Sequence, residues 1–335
     1  MSPARPLIDE SVLQPDIRVS VAIFIYNHEA YIQESLQSVL MQRTNFKYEI
    51  VIGDDCSTDQ SGAILERYAA EYPDKIRLIR RPKNIGMNRN FIETLRACRG
   101  EFIALLDGDD YWIHPEKLHK QVDFLLTHPE CAGCFHNAFV GQRFDLESMF
   151  IYPGKGARTV GLDDLWLSNP VPTAACMVRA RLVEEPPEWF YELILGDLPL
   201  LILIARFGNF GYLTEIMSFY RAHSGGAWTS TSAERRFLGL IEMHEHFLKD
   251  YRVEGHKKKI MSAINYQRYQ LACCLAHRGD VAGFKKYARL WARHYHLGDQ
   301  FPIGGWAKNF VCLFTPRLHK FLNKLRTVVS ARGAA

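Results

Sequence analysis

Three carboxylates stand together in Asp107-Gly108-Asp109-Asp110, directly after the apolar run Phe102-Ile103-Ala104-Leu105-Leu106. Like charges this close repel one another, so something has to compensate them. Carboxylate oxygens are hard donors that suit Mg²⁺ or Mn²⁺, and such ions are often shared with a substrate diphosphate. The alternative for the same four residues is a solvated acidic turn. A short apolar run bounded by turn residues reads as a strand buried on both faces, at home in the middle of a parallel sheet. The acids then fall at its carboxyl end, where open α/β sheets hold their ligands. Gly108 is expected to let the backbone turn sharply between Asp107 and Asp109.

The elements that must position these acids alternate. Residues 19–25, 48–52, 76–79, 102–106 and 131–140 read as strands, with helical periodicity between them at Ile32, Leu36, Val39 and Leu40, at Ile64, Leu65 and Tyr68, at Phe91, Leu95 and Cys98, and over residues 116–127. That alternation predicts a mainly parallel α/β sheet with helices on both faces. Polar, acid-rich loops follow the first, second and fourth strands and should gather along one edge. Further on, residues 153–158 read as an exposed loop, 174–178 as a returning strand, and 210–213 and 217–220 as two short strands. Gly196-Asp197-Leu198-Pro199 opens an apolar helix, where Asp197 could serve as N-cap. From Ser232 the periodicity is helical throughout, with Gly279-Asp280 separating two segments in the manner of a single tetratricopeptide-like hairpin.

With 335 residues, 47% hydrophobic and 23% charged, the chain has room for one large or two smaller soluble domains. Lys and Arg number 41 against 37 Asp and Glu, a net +4, too weak a balance to argue for nucleic acid. No apolar run reaches the length of a membrane span, and residues 1–17 read as a leader without the apolar core of a signal peptide, which points to a cytoplasmic protein. The eight cysteines are scattered. Cys131-Ala132-Gly133-Cys134, flanked by His128 and His136, lacks the second paired ligand set of a zinc site and reads better as buried thiols.

Several motifs in a fixed order resemble the inverting glycosyltransferases of family two. They are Ile25-Tyr26-Asn27-His28, Gly53-Asp54-Asp55-Cys56-Ser57-Thr58-Asp59, Asn84-x-Gly86 with Arg89-Asn90, Leu106-Asp107-Gly108-Asp109-Asp110, Gly196-Asp197-x-Pro199-Leu200, Gly211-Tyr212-Leu213-x-Glu215 and Tyr220-Arg221-x-His223-x-Gly225-Gly226. Each is weak alone; order and spacing make the resemblance, which covers about residues 17–230. It implies a GT-A fold, with residues 18–140 as the nucleotide-sugar half, 141–230 as the acceptor half, and 231–335 as an all-helical extension outside the match. It implies a nucleotide-sugar donor, most readily a UDP-sugar, contacted by Tyr26, Asn27, Glu29, Asp54, Asp55, Arg89, Asn90, Asp107 and Gly108. Asp55 would receive the imino hydrogen of uracil, a charge-assisted hydrogen bond, with Tyr26 near the base. Asp54, Asp55, Ser57 and Asp59 would equally cap the following helix. Arg89 and Asn90 would line the ribose or diphosphate, or cap and solvate a helix.

The resemblance further implies Mn²⁺ or Mg²⁺ on the diphosphate, held by Asp109 and by His223, which would otherwise be a satisfied structural histidine. Asp110, Arg221 and Trp228 fall to the acceptor or diphosphate. Asp197 would be the general base that takes the proton of the acceptor hydroxyl, the acceptor being a glycan or lipid-linked saccharide. The family more often has an acidic residue just before this Asp, where this chain has Gly196. The Gln-x-x-Arg-Trp signature of processive synthases is absent, which argues for one sugar per encounter. A nucleotidyltransferase would want a Gly-rich basic loop after the first strand, and Tyr26-Asn27-His28-Glu29 offers none. A non-catalytic scaffold has no reason to place acids after three strands and before the helix at Asp197. After Asp299 the chain has no Asp or Glu, and Leu318, Phe321, Leu322 and Leu325 form an apolar stripe beside basic residues. That tail either packs on the preceding helices or lies peripherally on an anionic membrane.

Overall fold

The computed structural model describes residues 6–8, 10–14, 16–145, 150–151 and 159–294. Among them are ten strands, β1 (Ile17–Ile25), β2 (Lys47–Asp54), β3 (Ile76–Arg80), β4 (Phe102–Asp107), β5 (Tyr111–Trp112), β6 (Gly133–Gly141), β7 (Phe150–Ile151), β8 (Thr159–Val160), β9 (Met177–Arg179) and β10 (Phe210–Arg221). The helices are α1 (Ile32–Leu40), α2 (Ser61–Glu71), α3 (Met87–Arg96), α4 (Lys117–Thr127), α5 (Leu162–Leu165), α6 (Asp197–Ala205), α7 (Ala233–Lys249), α8 (Lys257–His277) and α9 (Val281–Arg293). The described residues fall into two compact units, divided between Ser230 and Thr231.

The first unit is built on one sheet ordered β3-β2-β1-β4-β9-β6-β10-β5, with β7 on β6 and β8 on β10. The fold is α/β. Strands β3, β2, β1 and β4 run parallel, so their carboxyl ends share one edge. Register aligns that edge closely: Ile25 pairs with Asp54, and Phe24 pairs with Asp107. Burial on both faces explains the unbroken apolar sequences of β1 and β4. Val21, Ile23, Leu36, Ile50, Ile52, Leu106 and Trp112 share one core cluster. Each such side chain contributes about 1.5–3 kcal/mol by leaving water, which is what holds the strand ends in place.

Beyond β4 the sheet is mixed, not mainly parallel: β9 is antiparallel to both β4 and β6, and β5 is antiparallel to β10. The two short strands expected at 210–213 and 217–220 are one strand, β10, whose register on β6 shifts around Leu213 to Ser218. The strand expected at 174–178 is shorter, because Thr173–Ala175 turns as a 3-10 helix before β9 begins. The dipeptide strand β5 was not legible from periodicity. It matters because Phe219 pairs with Tyr111, which sets Asp110 beside Arg221. Residues 6–8 are not a loose leader: Leu7 N–H donates to Val183 O at 2.8 Å, and Leu7 and Ile8 are buried. The loop expected at 153–158 and the tail beyond 294 lie outside the described residues.

The second unit starts with Ser232, whose side chain caps α7 by accepting from Arg235 N–H. Helix α8 ends at a glycine in the left-handed region, Gly279 (φ 80°). Asp280 N–H then returns to Leu275 O, and the Asp280 side chain caps α9 through Gly283 N–H. Phe284 and Ala288 of α9 pack on Ala272 and Ala276 of α8, closing an antiparallel hairpin. Among the described residues no helix is long and apolar enough to cross a membrane.

Candidate active site at the carboxyl edge of the sheet

The loop after β1 and the loop after β2 are knitted together. Asn27 sits in the left-handed region (φ 56°), which an Asn tolerates better than most residues. Its N–H donates to Ser57 Oγ at 3.0 Å, and its Oδ1 accepts from Thr58 N–H at 2.8 Å. Glu29 Oε2 accepts from Gln60 N–H at 2.8 Å, and Glu29 N–H donates to Asp59 at 3.0 Å. Glu29 and Asp59 therefore satisfy free N–H groups at the start of α2, a favourable place for negative charge. Tyr26 projects from this knot and is largely exposed.

Asp54 and Asp55 are both buried and both satisfied. Asp54 accepts from Ser57 N–H at 3.0 Å and from Arg80 Nε at 3.2 Å. Asp54 is fully buried, and these two bonds hold the loop. Asp55 accepts from Ile85 N–H at 2.7 Å and Gly86 N–H at 3.0 Å, fixing the loop that leads into α3. Of the α3 pair, Asn90 is buried: its Nδ2 donates to Gly53 O at 2.8 Å and its Oδ1 accepts from Arg81. Arg89 stays outside, its guanidinium 4.4 Å from the Tyr191 ring and 3.8 Å from Glu188. Asn90 thus ties α3 to the end of β2, while Arg89 faces solvent.

The acids after β4 are held differently. Gly108 is needed for closeness and not for a left-handed turn: a Cβ there would run into the Ile25 side chain and lie 2.7 Å from His28 Nδ1. Asp109 Oδ2 is 2.9 Å from His223 Nε2, and both side chains are largely buried. Asp110 Oδ1 accepts from Arg221 N–H at 2.7 Å, but its Oδ2 is buried with no partner. The Arg221 guanidinium donates to Asp109 O at 2.8 Å, pairs with Glu34 at 2.6 Å, and lies over Tyr31 and Tyr111. It braces the Asp109-Asp110 turn from behind. Burial, then Asp109 and Asp197, push the Asp107 carboxyl up to about 8, against a hydrogen bond from the Thr173 side chain. Burial, then Asp109 and Asp107, hold the Asp110 carboxyl well above the ordinary range.

Asp197 reaches the same place from the other half of the sequence. It is the first residue of α6, with Gly196 in the capping position, so the expected N-cap role passes to the glycine. A side chain in place of Gly196 would press on Asn88 Oδ1 at 2.7 Å, which accounts for the missing acidic neighbour. Asn169 Nδ2 donates to Asp197 Oδ2 at 2.8 Å. Burial raises the Asp197 carboxyl, opposed by backbone N–H groups at the helix start and by Asn169. Trp228 is partly exposed on the segment after His223.

Two residues gained a function-bearing position that the sequence did not announce. His28 lies between Asp59 and Asp109; burial lowers its pKa first, Asp109 opposes, and its buried Nδ1 has no partner. Tyr220 feels Asp110, Asp107, Asp109 and Asp197 together, and burial with their charge keeps its phenol protonated. Both stand inside quoted motifs, but membership of a motif does not distinguish a side chain facing the acids from one facing away. Cys131 and Cys134 are buried thiols, with burial raising both.

The donor set fits a divalent cation. Asp109 and His223 lie 2.9 Å apart, and the raised carboxyls of Asp107 and Asp110 stand beside them, where a bound cation would favour their ionised forms. Among the described residues no group of three side chains could hold an ion alone, which suits an ion completed by diphosphate oxygens and water.

Residues 20–185 match the model described as glycosyl transferase family 2. An uncharacterized protein of Mycobacterium tuberculosis is 36% identical over 225 residues, 65% of this chain and 62% of that relative, so the match spans under two thirds of the relative's length. The structure of residues 1–349 of Staphylococcus aureus TarS in complex with UDP-GlcNAc is similar at a TM-score of 0.58 and 18% identity, covering 84% of this chain and 93% of that one. The mannosyltransferase PcManGT from Pyrobaculum calidifontis, in complex with GDP-Man and Mn²⁺, is similar at 0.53 and 17% identity, covering 91% and 90%. At these identities the two structures bear on the fold.

Proposed function

We propose that this chain, which belongs to glycosyl transferase family 2 through residues 20–185, moves a single sugar from a UDP-sugar to a hydroxyl of a glycan or lipid-linked saccharide, with inversion. The observation that carries the reading is the gathering of Asp107, Asp109, Asp110 and Asp197 at one sheet edge, where burial raises Asp107, Asp110 and Asp197, Asp109 and Asp197 raise Asp107 further, and Asp109 and Asp107 raise Asp110 further. A solvated acidic turn would show no such crowding.

In this reading the uracil base lies beside Tyr26, with Asp55 receiving its imino N–H. Two of the roughly four acceptor sites of that carboxylate are taken by Ile85 and Gly86, which leaves capacity for a third donor. Asn27 and Glu29 shape the loop under the base, Asp107 stands by the ribose over Gly108, and Arg89 offers its exposed guanidinium to the donor. Asp109 and His223 would hold Mn²⁺ or Mg²⁺ on the diphosphate. Bound there, the ion would offset charge building on the leaving nucleotide; a Mn²⁺ complex of the similar mannosyltransferase supports this choice. Arg221 keeps Asp109 and Asp110 in place by its backbone N–H and guanidinium.

Asp197 takes the proton from the acceptor hydroxyl as that oxygen attacks the anomeric carbon from the side opposite the leaving group. Its raised pKa strengthens it as a base, and Asn169 orients the carboxylate. Trp228 offers an aromatic face to the acceptor. The enzyme works in the cytoplasm, at the inner face of the membrane. The test is release of free nucleotide across a panel of nucleotide sugars with Mn²⁺ and with EDTA. Metal-dependent release from one donor class supports the reading; none from any donor, with or without acceptor saccharides, contradicts it.

A further inference from the structure

The net charge of the chain hides a division. Residues 1–230 carry 22 Lys and Arg against 30 Asp and Glu, a net −8; residues 231–335 carry 19 against 7, a net +12. The second unit is therefore strongly basic, and the structure shows where part of that charge is displayed.

Helix α9 contains no Asp or Glu. Its buried side, Phe284 and Ala288 with Tyr287 beside them, faces α8. Its other side exposes Lys285, Lys286, Arg289 and Arg293. At about 100° per residue these four fall within an arc of about 100°, and they extend for about 12 Å along the axis. None of the four has an acidic partner among the described residues. Lys286 lies over the Tyr287 ring at 5.1 Å, a contact that leaves its charge uncompensated. The hairpin adds more: Asn265 of α8 contacts Trp291 O, and the Tyr269 and Trp291 rings are 6.0 Å apart, so the two helices are antiparallel. The amino end of α8, with exposed Lys257 and Lys258, thus lies toward the carboxyl end of α9. Of these two, Lys257 pairs with Glu254 at 3.0 Å.

We propose that the exposed basic face of α9 is a docking surface for an anionic lipid membrane. A straight row of cations on one side of one helix fits a plane of phosphate headgroups. The residues between the cations on that face are Ala282 and Ala292, with Val281 at its start, and no aromatic ring is offered there for a base to stack on. That composition disfavours single-stranded nucleic acid, which uses exposed aromatics as stacking platforms. The charge of the chain after this helix has the same sign, with Lys and Arg numbering six after residue 294 against the single Asp299. The contact proposed is peripheral and electrostatic.

The test uses the full chain and vesicles of neutral phosphatidylcholine, with and without about a third phosphatidylglycerol. The variant is Lys285→Glu, Lys286→Glu, Arg289→Glu, Arg293→Glu; a control variant, Lys47→Glu with Lys75→Glu, changes charge on the first unit. Circular dichroism and nucleotide release verify that each variant is folded. Each cation near an anionic surface contributes about fivefold to partitioning, so the α9 variant should lose about 10²–10³-fold. The expected pattern is binding of wild type and control to anionic vesicles at low salt, loss at high salt, and no binding to neutral ones. Failure of wild type to bind, binding to inorganic polyphosphate but not to vesicles, or equal binding by the α9 variant each overturns the proposal. A four-alanine variant at the same positions separates lost charge from misfolding, and it too should lose binding.

Discussion

After β2 the chain sets Asp54 and Asp55 at the sheet edge; after β4 it sets Asp107, Asp109 and Asp110 at the same edge. The first pair spends its oxygens on four protein donors, from Ser57, Arg80, Ile85 and Gly86. The second group has fewer: one hydrogen bond from Thr173, one from Arg221 and the contact with His223, with Asp110 Oδ2 left bare. In the second group burial, then Asp109 and Asp197, push Asp107 up to about 8. Acids that the protein satisfies build loops, with Asp55 keeping capacity for one further donor; acids that it crowds and leaves short of partners are ready for a cation or a substrate. Asp197 belongs with the second kind, buried and raised, with one side-chain donor named for it.

The largest effect that would sharpen this contrast is at Asp197. Asp197→Asn keeps the size and removes the proton acceptor, so turnover should fall by about 10²–10⁴ with donor affinity little changed. Near-normal turnover with the true acceptor would remove Asp197 from the chemistry. The sign of the pH dependence follows from burial. A base must be ionised, and this carboxyl is raised from 3.8, so kcat should fall as pH drops through a value above 3.8, about tenfold per pH unit below it. Asn169→Ala removes a donor that favours the ionised form. A hydrogen bond to a charged group is worth about 1.5–3 kcal/mol, so the acid limb should move up by about 1–2 pH units. An unmoved limb would mean that the limb reports another group.

Stability separates the two turns in the opposite sense. Asp55→Asn leaves one of two buried N–H donors facing an amide, at a cost of about 1–3 kcal/mol in chemical denaturation. Asp110→Asn keeps the oxygen that accepts from Arg221 N–H and replaces the partnerless one, relieving repulsion from Asp107 and Asp109. Its stability in EDTA should stay within about 0.5 kcal/mol of wild type or rise. Equal losses for both variants would erase the distinction between the turns.

Much of this was legible in the sequence, and the rest was not, for physical reasons. The runs that became β1, β2 and β4 are apolar because both faces are buried, so strand, loop and edge could be read from them directly. The carboxylates could be seen, but their partners could not: Asp54 meets Arg80, and Asp55 meets Ile85 and Gly86, from beyond the next helix. Tertiary donors decide whether an acid is spent or free. Asn90 carried the same ambiguity and proved to be buried against Gly53. The strand β5 escaped because two residues carry no period, and the position of Gly196 as cap escaped because a glycine and an Asp side by side both qualify.

The most direct test of the account is calorimetry of donor binding to wild type and Asp109→Asn, each with Mn²⁺ and with EDTA. The account predicts donor binding by wild type that requires Mn²⁺, weakened by at least about 10–100-fold in EDTA and in the mutant. Donor affinity that is the same in all four conditions would contradict it.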